Sequence, residues 1–291
     1  MAPYFSIATP AYNAEATIGA AIESVLAQSI GDWELIVVDD GSTDRTADIV
    51  RGFADRDSRV RLVAQSNAGT SVARNTANSH CTGDFICRLD ADDMLLPEYL
   101  ESFRDFIAGH PGYDIYACNA WRVSVDGSRR LFHGGRRFAE VMSLTVEDML
   151  QENQIFTAAV TPRSFYDLEG ACRAGVVVDD YDLWLRAIAR GARHIFLPRP
   201  LVLYRESPVQ QTANPTRNHE SQILVLRDII SEGLLAESQV RLAQHSIRLL
   251  EQNLRFRRTA VRLFGPRGAA LAVGLARKAS WLLRPYRWLR R

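Results

Sequence analysis

Three short apolar runs in this chain each end in a cluster of aspartates. Leu35-Ile36-Val37-Val38 runs into Asp39-Asp40-Gly41-Ser42, Phe85-Ile86-Cys87-Arg88-Leu89 into Asp90-Ala91-Asp92-Asp93, and Val176-Val177-Val178 into Asp179-Asp180-Tyr181-Asp182. A brief apolar run bounded by polar residues is the pattern of a buried strand whose C-terminal end lies open. In open α/β sheets ligands bind at that edge. Three carboxylate clusters gathered there repel one another unless a cation sits among them. The pattern therefore predicts a site for a divalent metal and for an anionic ligand that the metal neutralises.

Strand and helix patterns alternate around these runs. Residues 4–9 read as a first strand ending at Thr9-Pro10-Ala11-Tyr12-Asn13. A helix follows with Ile18, Ile22, Val25 and Leu26 on one face. A strand at 35–38, a helix capped from Ser42-Thr43-Asp44, a strand at 60–63 and a helix after the Asn67-Ala68-Gly69 turn come next. The strand at 85–89 leads to a helix opened by Pro97 and carrying Leu100, Phe103 and Ile107. This alternation predicts an α/β fold with a parallel sheet covered on both faces.

The rhythm changes after residue 112. Strands are expected at 113–117 and 123–131, the second interrupted by an Asp126-Gly127 turn, and a mobile loop at Gly134-Gly135-Arg136-Arg137. A strand at 156–161, a helix from Tyr181 to Arg190 and strands at 194–197 and 201–204 complete the body. The pattern is helical from Thr216 to Phe264, and no internal repeat is apparent. These shifts divide the chain into a body, 1–212, with halves 1–95 and 96–212, a helical extension, 213–264, and a tail, 265–291.

Composition narrows the class. With 291 residues, 47% hydrophobic and 24% charged, the chain is a folded protein rather than a disordered one. No stretch of about 18 residues is free of charge, and the N-terminus lacks the basic start of a signal peptide, so a cytoplasmic location is expected. Cys81, Cys87, Cys118 and Cys172 form no CxxC pair and read as reduced, buried thiols. The six histidines show no i, i+3 or i, i+4 pairing that would suggest a metal site. Charge is uneven: from Arg241 onward there are 13 basic residues and one acid, Glu251, against 22 basic and 33 acidic residues before it. The Trp- and Arg-rich tail fits either an interfacial segment on an anionic membrane or a C-terminal helix packed on the body. No RNA- or DNA-binding motif accompanies it, so no nucleic-acid partner is expected.

Each aspartate cluster has a chemical reading and a plainer one. Asp90 and Asp92, two apart at a strand end, suit Mg²⁺ or Mn²⁺ as hard oxygen ligands; a solvated acidic loop is the alternative. Asp39 and Asp40 suit hydrogen bonds to a nucleobase or ribose, whereas capping explains only Ser42 and Asp44. Asp179 and Asp180 suit a general base, or else a capped helix start.

Taken together, Thr9-Pro-Ala-Tyr12-Asn13, Val38-Asp39-Asp40-Gly41-Ser42-Thr43-Asp44, Asn67-Ala-Gly69 with Ala73-Arg74-Asn75, Gly83-Asp-Phe-Ile with Leu89-Asp90-Ala-Asp92-Asp93, and Asp179-Asp180-Tyr181-Asp182-Leu183-Trp184-Leu-Arg186 resemble the family 2 glycosyltransferases over residues 3–206. The resemblance implies the GT-A fold, with a mixed, mostly parallel sheet between helices and here a C-terminal helical extension. It implies an inverting transfer from a nucleoside-diphosphate sugar, UDP-linked by expectation, to an acceptor hydroxyl of a glycan or lipid-linked molecule in bacterial envelope synthesis. By position, Thr9, Tyr12, Asp40, Gly69, Arg74 and Asp90 would bind the nucleotide sugar. Asp92 would hold Mn²⁺ or Mg²⁺, and Asp180 would be the base, with Asp179 where the family usually has Glu. Trp184 and Arg186 would support the helix. Ser207 stands where many relatives have His, which leaves Arg205 or Glu206 to fill that role.

Three other classes fit less well. A sugar nucleotidyltransferase needs a Gly-rich basic loop, absent from 9–18, and a Rossmann oxidoreductase needs GxGxxG after the first strand. A decayed, membrane-tethered nucleotide-sugar binding or scaffold protein would have no reason to keep Asp92 and Asp180.

Overall fold

A computed structural model of the chain describes residues 2–133, 141–151, 153–169, 172–207 and 214–280. The part of the expected tail beyond Ser280 and the loop expected at 134–137 lie outside the described residues. Among the described residues nine strands form one sheet. Its first half is built from β1 (Phe5–Ala11), α1 (Ile18–Leu26), β2 (Trp33–Asp39), α2 (Thr46–Ala54), β3 (Val60–Ala64), α3 (Thr70–His80) and β4 (Phe85–Arg88). β3, β2, β1 and β4 lie side by side and parallel. Every residue of β1 and β2 is buried, as a strand covered on both faces requires.

Register decides which residues meet at the sheet edge. Ala11 pairs with Asp39 and Asp39 with Ala64, while Ala8 pairs with Arg88. Tyr12, Asp40, Gln65 and Asp90 are therefore all delivered to one end. Side chains alternate along each strand, so Asp39 and Asp40 leave on opposite faces. Thr9 and Asp39 share the face of Ile7, Leu35 and Val37, which packs on α1; Asp40 and Arg88 share the face of Ala8, Ile36 and Val38, which packs on α3.

The opposite end of the sheet is locked by polar contacts. The Ser6 hydroxyl donates to Glu34 at 2.7 Å, and Thr82 donates to the same carboxylate from its backbone N–H at 2.6 Å and its hydroxyl at 2.8 Å. The Gly83 N–H donates to Ser6 Oγ at 2.8 Å. A Cβ on Gly83 would stand 2.8 Å from Ser6 Oγ and 2.9 Å from backbone atoms of Phe5 and Ser6.

The second half is β5 (Met94–Leu95), α4 (Tyr99–Gly109), β6 (Ile115–Val123), β7 (Arg129–Leu131), α5 (Val146–Gln151), β8 (Val160–Pro162), α6 (Phe165–Glu169), α7 (Asp179–Ala189) and β9 (His194–Arg205). β8 joins β4 to β6 antiparallel to both, β9 runs parallel to β6, and β5 closes the edge against β9. The mixed sheet thus begins where the parallel half ends.

Several boundaries differ from expectation. The two strands expected at 194–204 are one, because Pro198 and Pro200 withhold ladder donors and β9 bulges past Cys118 and Asn119 instead of breaking. The strands expected at 113–117 and 123–131 are one long strand and a hairpin partner, with Gly127 at φ 80° in the turn. Pro97 lies in a turn ahead of the helix, which starts at Tyr99; the two-residue β5, too short for any pattern, uses the space before it. The strand expected at 156–161 is reduced to Val160–Pro162.

The C-terminal pattern is two helices, α8 (Pro215–Ser231) and α9 (Glu237–Ser280), parted by a turn in which Gly233 takes φ 69°. Gly265, at φ 68°, interrupts the helical run of α9. α7, α8, α5 and α9 share a second core through Leu183, Trp184, Val225, Ile229, Met149 and Ile247. All four cysteines are free and buried. No helix among the described residues is long and apolar enough to cross a membrane.

Gly83→Ala is expected to cost about 1–3 kcal/mol, since the crowding atoms are largely backbone and cannot move aside. Urea denaturation checks this: the midpoint should fall with an unchanged slope, and a wild-type midpoint would refute the close approach.

Candidate active site

The site is assembled around α3. The Asp40 carboxylate accepts from Gln65 Nε2 at 2.7 Å and from the Ala68 and Gly69 backbone N–H groups at 2.9 Å each. This holds the loop entering α3 against the end of β2. Gly69 itself sits at φ 91°, a left-handed conformation that favours glycine. Gly41, at φ 72°, lets the loop close, since a Cβ there would be 2.8 Å from Asn67 N.

One turn into α3 stands Arg74, 2% exposed. Its Nη2 donates to Asp90 at 2.9 Å and its Nε to Asp179 at 2.8 Å. Arg88, wholly buried in β4, donates to the same Asp179 oxygen at 3.3 Å and lies 5.1 Å from the Trp184 ring centre. α3 is also fastened to the segment before α7. Asn75 exchanges two hydrogen bonds with the Cys172 backbone, at 2.8 and 2.9 Å, and Ser71 Oγ donates to Val176 O at 3.2 Å. The second and third aspartate clusters therefore meet on one guanidinium.

Asp179 and Asp180 are neighbours with opposite electrostatics. Burial pushes the Asp179 carboxyl up, but Arg74 and Arg88 outweigh it and hold the group below its ordinary value. Burial and then the charge of Asp179 push Asp180 up to about 6. Asn153 Nδ2 donates to Asp180 Oδ2 at 3.0 Å and the Tyr181 N–H to Oδ1 at 2.7 Å, which orient it. Along α7, Trp184 is fully buried and Arg186 pairs with Asp182 at 3.1 Å.

Asp90, Asp92 and Asp93 offer carboxylate oxygens all within 4.8 Å of one another. Asp93 is 1% exposed; its Oδ1 accepts from the Arg205 N–H at 3.2 Å, and its Oδ2 has no partner. Burial, together with Asp92 and Asp90 beside it, raises the Asp93 carboxyl well above its usual value. Hard oxygen donors, a buried oxygen without a partner and mutual repulsion are the conditions a divalent cation relieves, so these residues fit Mn²⁺ or Mg²⁺. Arg205 braces the loop, donating from Nε to Asp92 O at 2.5 Å and from Nη2 to Thr17 O at 3.2 Å. Glu206 faces elsewhere, accepting from Arg122, Ser124 and Arg130 of the β6–β7 hairpin. Of the two residues named for the place of the missing His, only Arg205 bonds to the carboxylate loop.

At the neighbouring strand ends, Thr9 is 1% and Asp39 5% exposed; Thr9 Oγ1 and Asp39 Oδ1 have no partner, and Tyr12 is half exposed. Asn13 shapes this corner at φ 47°, exchanging hydrogen bonds with Ser42 and Thr43 at 2.9 Å each. Arg88, Asp93 and Asn153 received no role from the sequence, and Asp39 only one shared with Asp40. Arg88 carried a usable signal, a charge inside an otherwise apolar strand. Asn153 carried none, because its meeting with Asp180 is purely tertiary.

This fold and carboxylate edge define a glycosyltransferase of GT-A architecture. The profile described as Glycosyl transferase family 2 matches residues 6–167, and the chain belongs to that family. EpsE from Bacillus subtilis is 32% identical over 211 residues, covering 70% of this chain and 73% of EpsE. The Escherichia coli protein named UDP-Glc:alpha-D-GlcNAc-diphosphoundecaprenol beta-1,3-glucosyltransferase WfgD is 47% identical over 97 residues, 33% of this chain and 38% of WfgD. Among solved structures, Staphylococcus aureus TarS in complex with UDP-GlcNAc superposes with TM-score 0.66 at 20% identity, over 85% of this chain and 70% of TarS 1-349. The mannosyltransferase PcManGT of Pyrobaculum calidifontis, with GDP-Man and Mn²⁺, gives 0.66 at 19% identity, over 99% of this chain and 83% of that one. At these identities the two structures establish the fold.

Arg74→Met leaves Asp179 buried against Arg88 alone and is expected to cost about 3–5 kcal/mol. Adding Asp179→Asn should cost less than the same change in the wild type, because the Arg74–Asp179 pair is already broken, although Arg88 then loses its carboxylate. Denaturation of the two single variants and the double variant measures the coupling; simple additivity would count against the shared ion pair.

Proposed function

We propose that the chain transfers a sugar from a nucleoside diphosphate, UDP by expectation, to an acceptor hydroxyl, with inversion at the anomeric carbon. The observation that carries this reading is the pair of adjacent carboxylates pushed in opposite directions, Asp179 held low by two arginines and Asp180 raised to about 6. Neighbouring groups whose environments separate their titrations mark an acid–base site. Asp180 accepts the proton of the acceptor hydroxyl. The hydroxyl oxygen forms its bond to the anomeric carbon as the bond to the diphosphate oxygen breaks, and that electron pair leaves with the nucleotide. Asn153 aims the Asp180 carboxylate.

Asp90, Asp92 and Asp93 would hold the divalent cation, and Arg205 keeps their loop in place. When bound, such a cation neutralises charge developing on the diphosphate. Thr9, Asp39 and Tyr12 would line the nucleobase pocket, with Thr9 Oγ1 and Asp39 Oδ1 as its polar groups. Asp40, Gly69 and Arg74 shape that pocket by positioning α3. UDP-GlcNAc on TarS and the diphosphoundecaprenol acceptor in the name of WfgD support a nucleotide-sugar donor and an acceptor in cell-envelope polysaccharide synthesis. The body 1–212 would carry the reaction and the helices after it would support the second half. A decayed binding protein is disfavoured by the buried arginines and orienting asparagine still gathered on Asp179 and Asp180.

The first experiment is hydrolysis of a panel of UDP-, GDP- and dTDP-sugars with Mn²⁺ or EDTA, on wild type and Asp92→Ala. One donor turned over with Mn²⁺, and lost with EDTA and in the variant, is the expected result; no turnover and no metal-dependent nucleotide binding would refute the site. Asp180→Asn should lower kcat by about 10²–10⁴-fold with nucleotide binding retained.

The pH profile gives a separate check. Asp180 acts as a base only when deprotonated, so kcat/KM should fall on the acid side with a limb near pH 6. In Asp179→Asn the repelling charge is gone and two arginines remain, so the limb should move to lower pH. A limb that stays in place would assign it to another group.

A further inference from the structure

α9 carries a pattern of which the fold uses one column and leaves another open. Triplets of apolar, Arg, apolar recur every seven residues: Val240-Arg241-Leu242, Ile247-Arg248-Leu249, Leu254-Arg255-Phe256 and Val261-Arg262-Leu263. This corrects the expectation that the chain holds no internal repeat. The columns of this repeat have different environments. Ile247 and Leu254 are buried in the core shared with α5 and α8. The second apolar column emerges: Leu242 is half-buried, Leu249 is 47% exposed, Phe256 46% and Leu263 67%. A seven-residue spacing slips about 20° per repeat around a straight helix, and the slip turns this column away from the body. Leu249, Phe256 and Leu263 form an open apolar strip about 21 Å long.

Arg248, Arg255 and Arg262 run beside the strip, all exposed, and no carboxylate pairs with them among the described residues. Other arginines of these helices are paired, Arg241 with Glu237, Arg258 with Glu220 and Arg227 with Glu251. From Arg241 to Ser280 the only acid is Glu251, already taken by Arg227.

We propose that this face docks on an anionic lipid bilayer. An apolar strip bordered by cations seats in the headgroup boundary, where guanidinium heads meet lipid phosphates and their stems lie along the acyl surface. A second copy of the chain is the poorer occupant, because it would bring arginine against arginine with no carboxylate on the strip to pair them. The sequence of residues 281–291 continues the composition with Trp281, Trp288, four arginines and no acid. This surface is independent of the donor and acceptor assigned above.

The test is flotation of the full chain with phosphatidylcholine vesicles and with vesicles containing phosphatidylglycerol, at low and high salt. Binding to the anionic vesicles, weakened by salt, is expected. Replacing Arg248, Arg255 and Arg262 by Gln should lower partitioning about fivefold per arginine and about 100-fold in all. Phe256→Ser with Leu263→Ser should release the chain as well, whereas Trp281→Ser with Trp288→Ser should keep most of the binding. All replaced side chains on α9 are exposed, so an unchanged thermal transition certifies folding. No vesicle binding by wild type, wild-type binding by the arginine variant, or loss only in the tryptophan variant would overturn the proposal. So would a dimer in size-exclusion chromatography that the Phe256→Ser, Leu263→Ser variant splits.

Discussion

Arg74 lies buried with Asp90 on one side and Asp179 on the other, and the arrangement of the whole edge depends on that shared guanidinium. A buried arginine has five donors in a rigid fork and cannot lose its charge, so it dictates where its carboxylates sit. Asp90 leaves the first half of the sheet and Asp179 opens a helix of the second half, 89 residues later. Without the pair, only Arg88 and the backbone bonds from Asn75 and Ser71 would set the spacing of the second and third clusters. Asp40 completes the linkage from the other end of α3 by gripping Ala68 and Gly69. One helix thereby registers all three clusters.

The same ion pair has a chemical consequence. Asp179 pairs with Arg74 and Arg88, and at its neighbour burial and the charge of Asp179 outweigh the pull of the same arginines. Asp180 is raised for those two reasons, and a carboxylate lifted toward neutrality is a better proton acceptor than one held low. The proposed base thus owes its basicity first to burial and then to a residue that does no proton transfer itself. Burial and repulsion from Asp92 and Asp90 act similarly on Asp93, whose unpartnered oxygen suits a cation.

Much of the architecture was legible because its signals are local. Apolar runs of four or five residues marked β2 and β4, the i, i+4, i+7 spacing marked α1, and turn residues marked the hairpin after β6. The misread boundaries fall where local chemistry and tertiary pairing disagree. Pro198 and Pro200 argue for a break, yet pairing with β6 carries β9 through them as a bulge. Met94 and Leu95 form a strand only because β9 lies alongside. The site was legible as a set of acids but not as a set of partners. Asp40 was expected at a nucleobase and is found bonded to the start of α3, whereas its neighbour Asp39, on the opposite face, keeps an oxygen without a partner. A period of two along a strand separates those faces, and which face is which depends on what packs there.

By itself the sequence determined that an α/β sheet would present two carboxylate clusters at its C-terminal edge, although the third follows no strand, Val176–Val178 being a loop that leads into α7; the ordered motifs determined the family, because strand patterns, glycine turns and acid spacings are written within a few residues of one another. Only the tertiary structure decided that Arg74 and Arg88 neutralise Asp179 and leave Asp180 raised, that Arg205 rather than Glu206 braces the Asp92 loop, and that one edge of α9 stays open. Each of these is a relation between residues far apart in the chain, and their distances and burial exist only once the two halves of the sheet are joined.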